Sequence, residues 1–433
     1  MFARRIAVIG TGYVGLTTGA CLASLGHHVV CADIDEAKVA RLRAGEIDIL
    51  EPGLPELVAE GVAAGRLEFV VGARQAIVSP DQQAVEVVFL CVPTPMGEGG
   101  AADLAAVQAV ANEVRHLLPA GCVVVNKSTV PVGTAEATRK MLGRRDVPVV
   151  SNPEFLREGS AVHDFLNPDR IVVGSDSQDA AERVAALYSK LGAPTQLTDA
   201  ASAEMVKYAA NCFLAMKLSY VNALADLCER LGADVVEVTE GMGYDRRIGA
   251  NFLSPGPGWG GSCFPKDTHA LLQIAEAAGM DFELVAASLS TNATTRRRVV
   301  DKVRDAVGGT LAGKRIGLLG LTFKAGTDDL RDSPSIAVAE LLRAEGAELY
   351  GYDPACPTDV AATDGITVVD EPLAVAKGCS ALVVLTEWPQ FRALDWTALA
   401  GVVAAPIVVD TRNLLDPDVL RRAGFAWIGL GRS

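Results

Sequence analysis

The 433 residues carry 39 Lys and Arg against 53 Asp and Glu, and the resulting net charge of −14 argues against non-specific binding to nucleic acid or to an anionic membrane, both of which need an excess of cations. Half of the residues are hydrophobic, yet no apolar run approaches the roughly 18 to 20 residues that cross a bilayer, and the length calls for two or three domains. Nine cysteines, odd in number and without a CxxC pair, support neither a disulfide framework nor a structural zinc site, so no metal is expected and reduced thiols in a cytoplasm fit best.

Arg4 and Arg5 ahead of Ile6-Ala7-Val8-Ile9 resemble the start of a signal peptide, but the apolar run breaks at once into glycines and no cleavage pattern follows. Residues 4–9 instead read as a strand entering Gly10-Thr11-Gly12-Tyr13-Val14-Gly15, with residues 16–25 as a helix that stops at Gly26. Residues 28–32 form the next strand, with Asp33 at its tip. That is near the spacing of about 20 residues expected for an acid that binds an adenosine ribose. Strand, glycine turn, helix and acid together indicate NAD; the alternative is a turn whose glycines serve packing alone. Asp33 would repel a 2′-phosphate, which favours NAD over NADP, whereas Lys38 pulls the other way.

Further strands are expected at 85–91, 122–126, 147–151 and 171–174, interleaved with helical stretches such as 104–117, which makes a doubly wound α/β sheet. Three strand ends carry polar or turn residues: Pro93-Thr94-Pro95, Lys127-Ser128-Thr129-Val130-Pro131, and Asn152-Pro153-Glu154-Phe155-Leu156-Arg157-Glu158. Ligands of such sheets gather at those ends. From Ala200 to Leu231 there is no Gly or Pro, Asp199 suits an N-cap and Gly232 a stop, so one long helix is expected, of a kind that links domains or forms a dimer interface. Lys207 and Asn211 share one of its faces.

Pro255-Gly256-Pro257-Gly258-Trp259 is too rich in Gly and Pro for a helix or a central strand and suits close backbone approach by a ligand. It leads into Gly260-Gly261-Ser262-Cys263-Phe264-Pro265-Lys266-Asp267 and an apolar-periodic helix over 268–278. Pro265 fits a first turn, so Cys263 is expected near a helix N-terminus, where backbone N–H groups and the macrodipole favour a thiolate and Lys266 adds to the effect. The competing reading of Cys263 is a small buried residue.

A second nucleotide-type unit starts at Lys314: strand 315–319, turn Gly320-Leu321-Thr322-Phe323-Lys324, helix 334–346, and strand 347–352 tipped by Asp353. Its turn lacks the full glycine fingerprint, so dinucleotide binding is less expected there. Lys324, Arg331 and Arg412 supply cations near strand ends and suit phosphate recognition, with surface salt bridging as the alternative. The fold is thus two Rossmann-like doubly wound α/β domains joined by a long central helix.

Taken in order, the glycine turn 10–15, Ser128-Thr129-Val130-Pro131, Asn152 to Gly159, Lys207 with Asn211, Gly260 to Asp267, and Phe323-Lys324 with Thr327-Asp328-Asp329-Leu330-Arg331 resemble the UDP-glucose/GDP-mannose dehydrogenase family over nearly the whole chain. The resemblance implies an NAD-binding domain at 1–198, a central helical dimerisation and catalytic segment at 199–298, and a C-terminal domain at 299–433 that binds the UDP of the sugar. The implied activity is a two-step, four-electron oxidation of UDP-glucose at C6, with Cys263 as nucleophile, Lys207 and Asn211 at the reacting oxygen, Glu154 as base for the hydrolytic water, and Thr129 and Asp267 holding that water. NAD is assigned to Gly10, Gly12, Tyr13, Val14, Gly15, Asp33, Lys38, Thr94, Thr129, Glu158, Lys266 and Arg331. The sugar nucleotide is assigned to Glu154, Phe155, Leu156, Lys207, Asn211, Phe252, Leu253, Ser254, Pro255, Gly256, Gly260 and Lys324, with Arg412 and a partner subunit's equivalent of Arg247 as further anion-binding candidates in a homodimer. Alternatives are oxidation of GDP-mannose or a UDP-N-acetylhexosamine, a single-step hydroxyacid-type dehydrogenase, which has no use for Cys263, and an inactive nucleotide-sugar-binding regulator.

Overall fold

The computed structural model describes residues 3–78, 84–97, 100, 102–356 and 363–432. The chain divides into two units, the first made of residues 1–210 with 269–278, the second of 211–268 with 279–433. Among the described residues no helix is long and apolar enough to cross a membrane.

The first unit is built on an eight-stranded sheet. Its strands are β1 (Arg5–Ile9), β2 (His28–Asp33), β3 (Leu67–Val71), β4 (Val87–Leu90), β5 (Val123–Asn126), β6 (Val149–Ser151), β7 (Ile171–Gly174) and β8 (Thr195–Thr198). They lie in the order β3-β2-β1-β4-β5-β6-β7-β8, and all neighbouring pairs are parallel except β6 with β7. Continuous β-branched runs such as Val123-Val124-Val125 are what a strand covered on both faces requires. The two-residue period sends Ile6, Val8, Val87 and Phe89 into one core and Ala7, Ile9, Val88 and Leu90 into the other. The edge strand β8 is largely exposed and polar, which is why its sequence carries no strand signal.

Register puts the ligand edge together. Ile9 pairs with Ala32 and with Leu90, Leu90 with Asn126, and Asn126 with Ser151. The turns that begin at Gly10, Asp33, Cys91, Lys127 and Asn152 therefore stand side by side at the carboxyl ends of the strands. The strand order reverses between β1 and β4, and sheets of this kind bind ligands at such a switch point.

The second unit holds six parallel strands: β9 (Arg315–Leu319), β10 (Glu348–Tyr352), β11 (Ile366–Val368), β12 (Ala381–Val384), β13 (Ile407–Asp410) and β14 (Ala426–Gly429), ordered β11-β10-β9-β12-β13-β14. This is the same winding as the first sheet, with its switch point between β9 and β12. The helices Ala200–Leu231 and Phe264–Ala277 each contribute residues to both units. At 32 residues the first of these is about 48 Å long.

Candidate active site

The three glycines of the first turn have three different physical jobs. Gly10 has φ +96°, and a Cβ there would stand 2.6 Å from the Cys91 carbonyl oxygen. A Cβ on Gly15 would stand 1.9 Å from the Gly10 oxygen, so only glycine lets the helix Tyr13–Ser24 seat against the strand ends. Gly12 meets nothing within 4 Å; it is exposed, caps that helix without a side-chain hydrogen bond, and leaves the first-turn N–H groups open to a diphosphate. Asp33 accepts from the Thr11 N–H at 2.9 Å and the Thr11 hydroxyl at 2.6 Å through Oδ2, and from the Asp35 N–H at 3.2 Å through Oδ1. Burial pushes its pKa up, but these bonds and the charge of Lys38 outweigh it, and the carboxyl is held below its usual range. A half-buried carboxylate fixed at the end of β2 fits a ribose diol. These residues fit NAD.

Thr94 donates its hydroxyl to the Thr129 carbonyl at 2.8 Å and Ser128 donates to the Val92 carbonyl at 2.6 Å, which ties the loops after β4 and β5 together. Tyr13 donates to the Glu51 carboxylate, and both accept from the Gly159 N–H, at 2.9 Å and 2.8 Å. Glu51, 3% exposed, thereby fixes the loop that carries Glu158 to the start of the glycine-turn helix.

The same unit also buries an ion pair. Lys207, 3% exposed, donates to Glu154 Oε1 at 2.8 Å and to the Glu154 carbonyl at 2.7 Å, and the Leu156 N–H donates to Glu154 Oε2 at 2.7 Å. Burial raises the pKa of Glu154, but the Lys207 charge and these hydrogen bonds bring it below the ordinary value. The Phe155 ring lies under the Arg170 guanidinium at 3.7 Å and 5.5 Å from the Lys207 ammonium.

In the second unit, the helix Phe264–Ala277 begins four residues earlier than the sequence pattern suggests, immediately after Cys263. Pro265 stands in its first turn, where a missing N–H costs nothing. The Asp267 N–H donates to the Cys263 carbonyl at 2.9 Å, so Cys263 is the N-cap residue. Eight of the nine cysteines are buried, and Cys263 is intermediate. Burial pushes the thiols of Cys21, Cys91, Cys122 and Cys212 up to about 12 and those of Cys356 and Cys379 up to about 11. Cys263 is therefore the thiol set apart by access and by the helix end. Asp267, fully buried, accepts from the Asn211 amide at 2.6 Å and pairs with the Lys266 ammonium at 2.6 Å. Lys266, expected beside the thiolate or NAD, and Asn211, expected at a substrate oxygen, both bind this carboxylate.

The glycines of the approach, expected to admit a ligand, are each closely approached by protein. A Cβ on Gly260 would stand 1.9 Å from the Asp332 carbonyl oxygen, one on Gly261, at φ +81°, 2.8 Å from the Phe323 ring, and one on Gly256 2.9 Å from Arg412 Nη1. Phe252 takes a positive φ of 63°, a strained state for an aromatic residue, and Leu253 and Pro255 are buried while Ser254 is exposed. Arg412 donates to the Leu385 carbonyl at 2.8 Å and pairs with Glu387 at 3.1 Å. The side chains of Arg247 and Arg331, 88% and 65% exposed, are each held by the carboxylate two residues earlier, Asp245 and Asp329. Lys324 stands 5.4 Å from the Phe323 ring. Asp353 differs from Asp33: at 5% exposure it accepts from the Leu321 and Thr322 N–H groups, the Thr322 hydroxyl and the Trp388 indole at 2.7–3.0 Å. Its acceptor sites are spent on its own turn, a physical reason for the second Rossmann unit to lack a ribose-binding acid.

Residues 4–192 match the family model for the UDP-glucose/GDP-mannose dehydrogenase family, NAD binding domain; residues 201–294 match the central domain and residues 317–417 the UDP binding domain. The chain belongs to this dehydrogenase family. Among its members, the UDP-glucose 6-dehydrogenase of Rhizobium meliloti (strain 1021) is 45% identical over 99% of both chains, and a UDP-glucose 6-dehydrogenase of Bacillus subtilis (strain 168) is 43% identical over 99% of this chain and 93% of its own. A solved UDP-glucose dehydrogenase of Pyrobaculum islandicum is 37% identical and superposes with a TM-score of 0.90 over 100% of this chain and 98% of its own.

Two residues of this family member escaped the sequence reading as functional candidates. Glu51 precedes a Pro-Gly turn and looks like ordinary surface. Lys127 follows β5 and is 5% exposed, donating to Asn152 Oδ1 at 3.1 Å and to the Tyr188 hydroxyl at 3.4 Å; burial pushes its pKa down to about 8. It lines, with Asn152, Glu154 and Tyr188, a cavity of about 160 Å³. Only a strand-end position hinted at it.

Proposed function

We propose that this chain is an NAD-dependent enzyme that oxidises UDP-glucose at C6 to UDP-glucuronate through a cysteine-bound intermediate. The observation that carries the reading is Cys263, the accessible thiol at a helix N-cap beside a buried Asp267 held by Asn211 and Lys266, in a chain whose full-length relatives are UDP-glucose 6-dehydrogenases. A single-step alcohol dehydrogenase has no task for such a thiol.

NAD supplies the hydride acceptor, one molecule for each of the two oxidations. In the first oxidation C6 loses a hydride and its hydroxyl proton passes to water, giving the aldehyde, while the Lys207 ammonium stabilises negative charge developing on the oxygen and Asn211, which gives one amide N–H to Asp267, directs its second to the same centre. Cys263 attacks the aldehyde carbon to form a thiohemiacetal. Loss of a second hydride from that carbon and of the hydroxyl proton leaves a thioester. Glu154 takes a proton from water that attacks the thioester, with Thr129 and Asp267 holding the water, and the thiolate leaves. The buried Lys207–Glu154 pair suits both duties, since one member is cationic and the other is kept ionised.

The division of labour follows the sequence: residues 1–198 hold NAD through Gly10, Gly12, Asp33, Thr94 and their neighbours, 199–298 carry the thiol, and 299–433 hold the UDP with Lys324 and Arg412. The loop Phe252 to Gly256, with Gly260, lies along the sugar nucleotide. A homodimer through the helix Ala200–Leu231 is supported by Phe213, Tyr220 and Leu227, seven residues apart and 59%, 58% and 50% exposed, an apolar stripe with the period of a helix–helix seam. Arg247 would then serve the partner's site. Nine scattered cysteines without a CxxC pair suit a cytoplasm. The test is to incubate purified protein with NAD and a panel of UDP- and GDP-sugars and count NADH formed per sugar consumed. Two with UDP-glucose is expected; one marks a simple dehydrogenase and none a binding protein.

A further inference from the structure

The loop over 248–259 has no regular structure of its own, so its path must be imposed by side chains around it. Trp259 is fixed by Asn292, which accepts from its N–H at 2.8 Å and donates to its carbonyl at 2.9 Å, and by Ser219, which accepts from its indole at 2.8 Å. The Gly256 N–H donates to Asn222 Oδ1 at 2.8 Å. The upstream half is held differently. Lys217, from the helix Ala200–Leu231, donates to three backbone carbonyls at once: Ile248 at 2.9 Å, Gly249 at 3.3 Å and Asn251 at 2.6 Å. An ammonium has three N–H donors and no acceptor, so its whole capacity is spent on this one turn. The next residue is the strained Phe252.

Three carbonyl dipoles converging on one point repel one another unless a cation stands there. We propose that Lys217 is a positioning residue for the sugar nucleotide: by gathering these carbonyls it sets the path of the chain into Phe252 to Gly256 and so governs affinity for UDP-glucose without touching it. The inference rests on the proposed substrate and on the assignment of that loop to it. Without the cation the carbonyls turn to water and Phe252 relaxes out of its left-handed state, so binding must first rebuild the loop.

The test compares Lys217→Met with wild type. A rise of roughly tenfold or more in KM for UDP-glucose is expected, with kcat and KM for NAD within about threefold and most of the affinity restored in Lys217→Arg, which keeps charge and donors. An unchanged KM for UDP-glucose, or equal impairment of both substrates, overturns the proposal. Amide hydrogen exchange over 248–256 in Lys217→Gln, a milder change, tests the clamp without any substrate: faster exchange there than in wild type supports it, and identical exchange overturns it. Absence of UDP-glucose turnover in the wild type would count against the proposed function and leave this readout intact.

Discussion

Replacing Lys207 by Met removes a cation and keeps most of its volume, leaving the carboxylate of Glu154, 7% exposed, with its charge largely uncompensated. Breaking a buried pair in this way costs about 3–5 kcal/mol, and Lys127, whose charge also acts on Glu154, puts the loss toward the lower end. In a unit of this size 1 kcal/mol shifts Tm by about 2–4 °C, so a loss of about 3 kcal/mol should melt the first unit roughly 6–12 °C lower near neutral pH. The pH dependence carries the sharper signature. In the wild type Glu154 has a depressed pKa, so its contribution is present above the ordinary carboxylate range and is lost as pH falls through the depressed value. In Lys207→Met, burial dominates and raises that pKa, so protonation relieves the buried charge and stability is regained on acidification. Melting followed at about pH 7.5 and about pH 5 should show the gap between variant and wild type narrowing at the lower pH. The double variant Lys207→Met with Glu154→Gln should recover more than half of the lost stability. A gap that is equal at both pH values, together with additive losses in the double variant, would refute the coupled-pair account.

Three further outcomes follow from the same geometry. Gly15→Ala drives a Cβ into the Gly10 carbonyl and should lower NAD affinity at least about tenfold by calorimetry; unchanged affinity would mean the helix seats elsewhere. Glu154→Gln should stall after the second oxidation, so that intact-mass measurement finds an acyl adduct on Cys263, whereas no adduct and an unchanged burst would point to another base. Placing charge in the exposed stripe, with Phe213→Glu and Tyr220→Lys made separately, should shift light scattering from dimer to monomer and weaken UDP-glucose binding; a dimer retained in both excludes this seam.

The parts legible in the sequence are those where backbone geometry demands one residue type. Gly10 and Gly15 are forced by positive φ and by close packing, so the nucleotide turn could be read from its glycines together with the strand, helix and Asp33 around them. Pro265 marked the first turn of the helix that begins at Phe264, but the apolar period emerges only from Thr268, so the opening four residues carried no helical pattern of their own. Strand β8 escaped because it is largely exposed and polar, so no apolar run marks it. Pairings across long separations were beyond reach: Asn211 finds Asp267 56 residues away, and Gly159 reaches Glu51 across 108. The use of Asp353 also depended on the fold, because the Leu321 and Thr322 N–H groups, the Thr322 hydroxyl and the Trp388 indole meet at that acid only once the chain is folded.

The central claim is that one thiol links two oxidations. Its most direct test is Cys263→Ser, incubated with UDP-glucose and NAD while NADH and the sugar product are measured together. The account predicts that two-NADH turnover to the acid is abolished. Continued formation of two NADH and one UDP-glucuronate at the wild-type rate would contradict it.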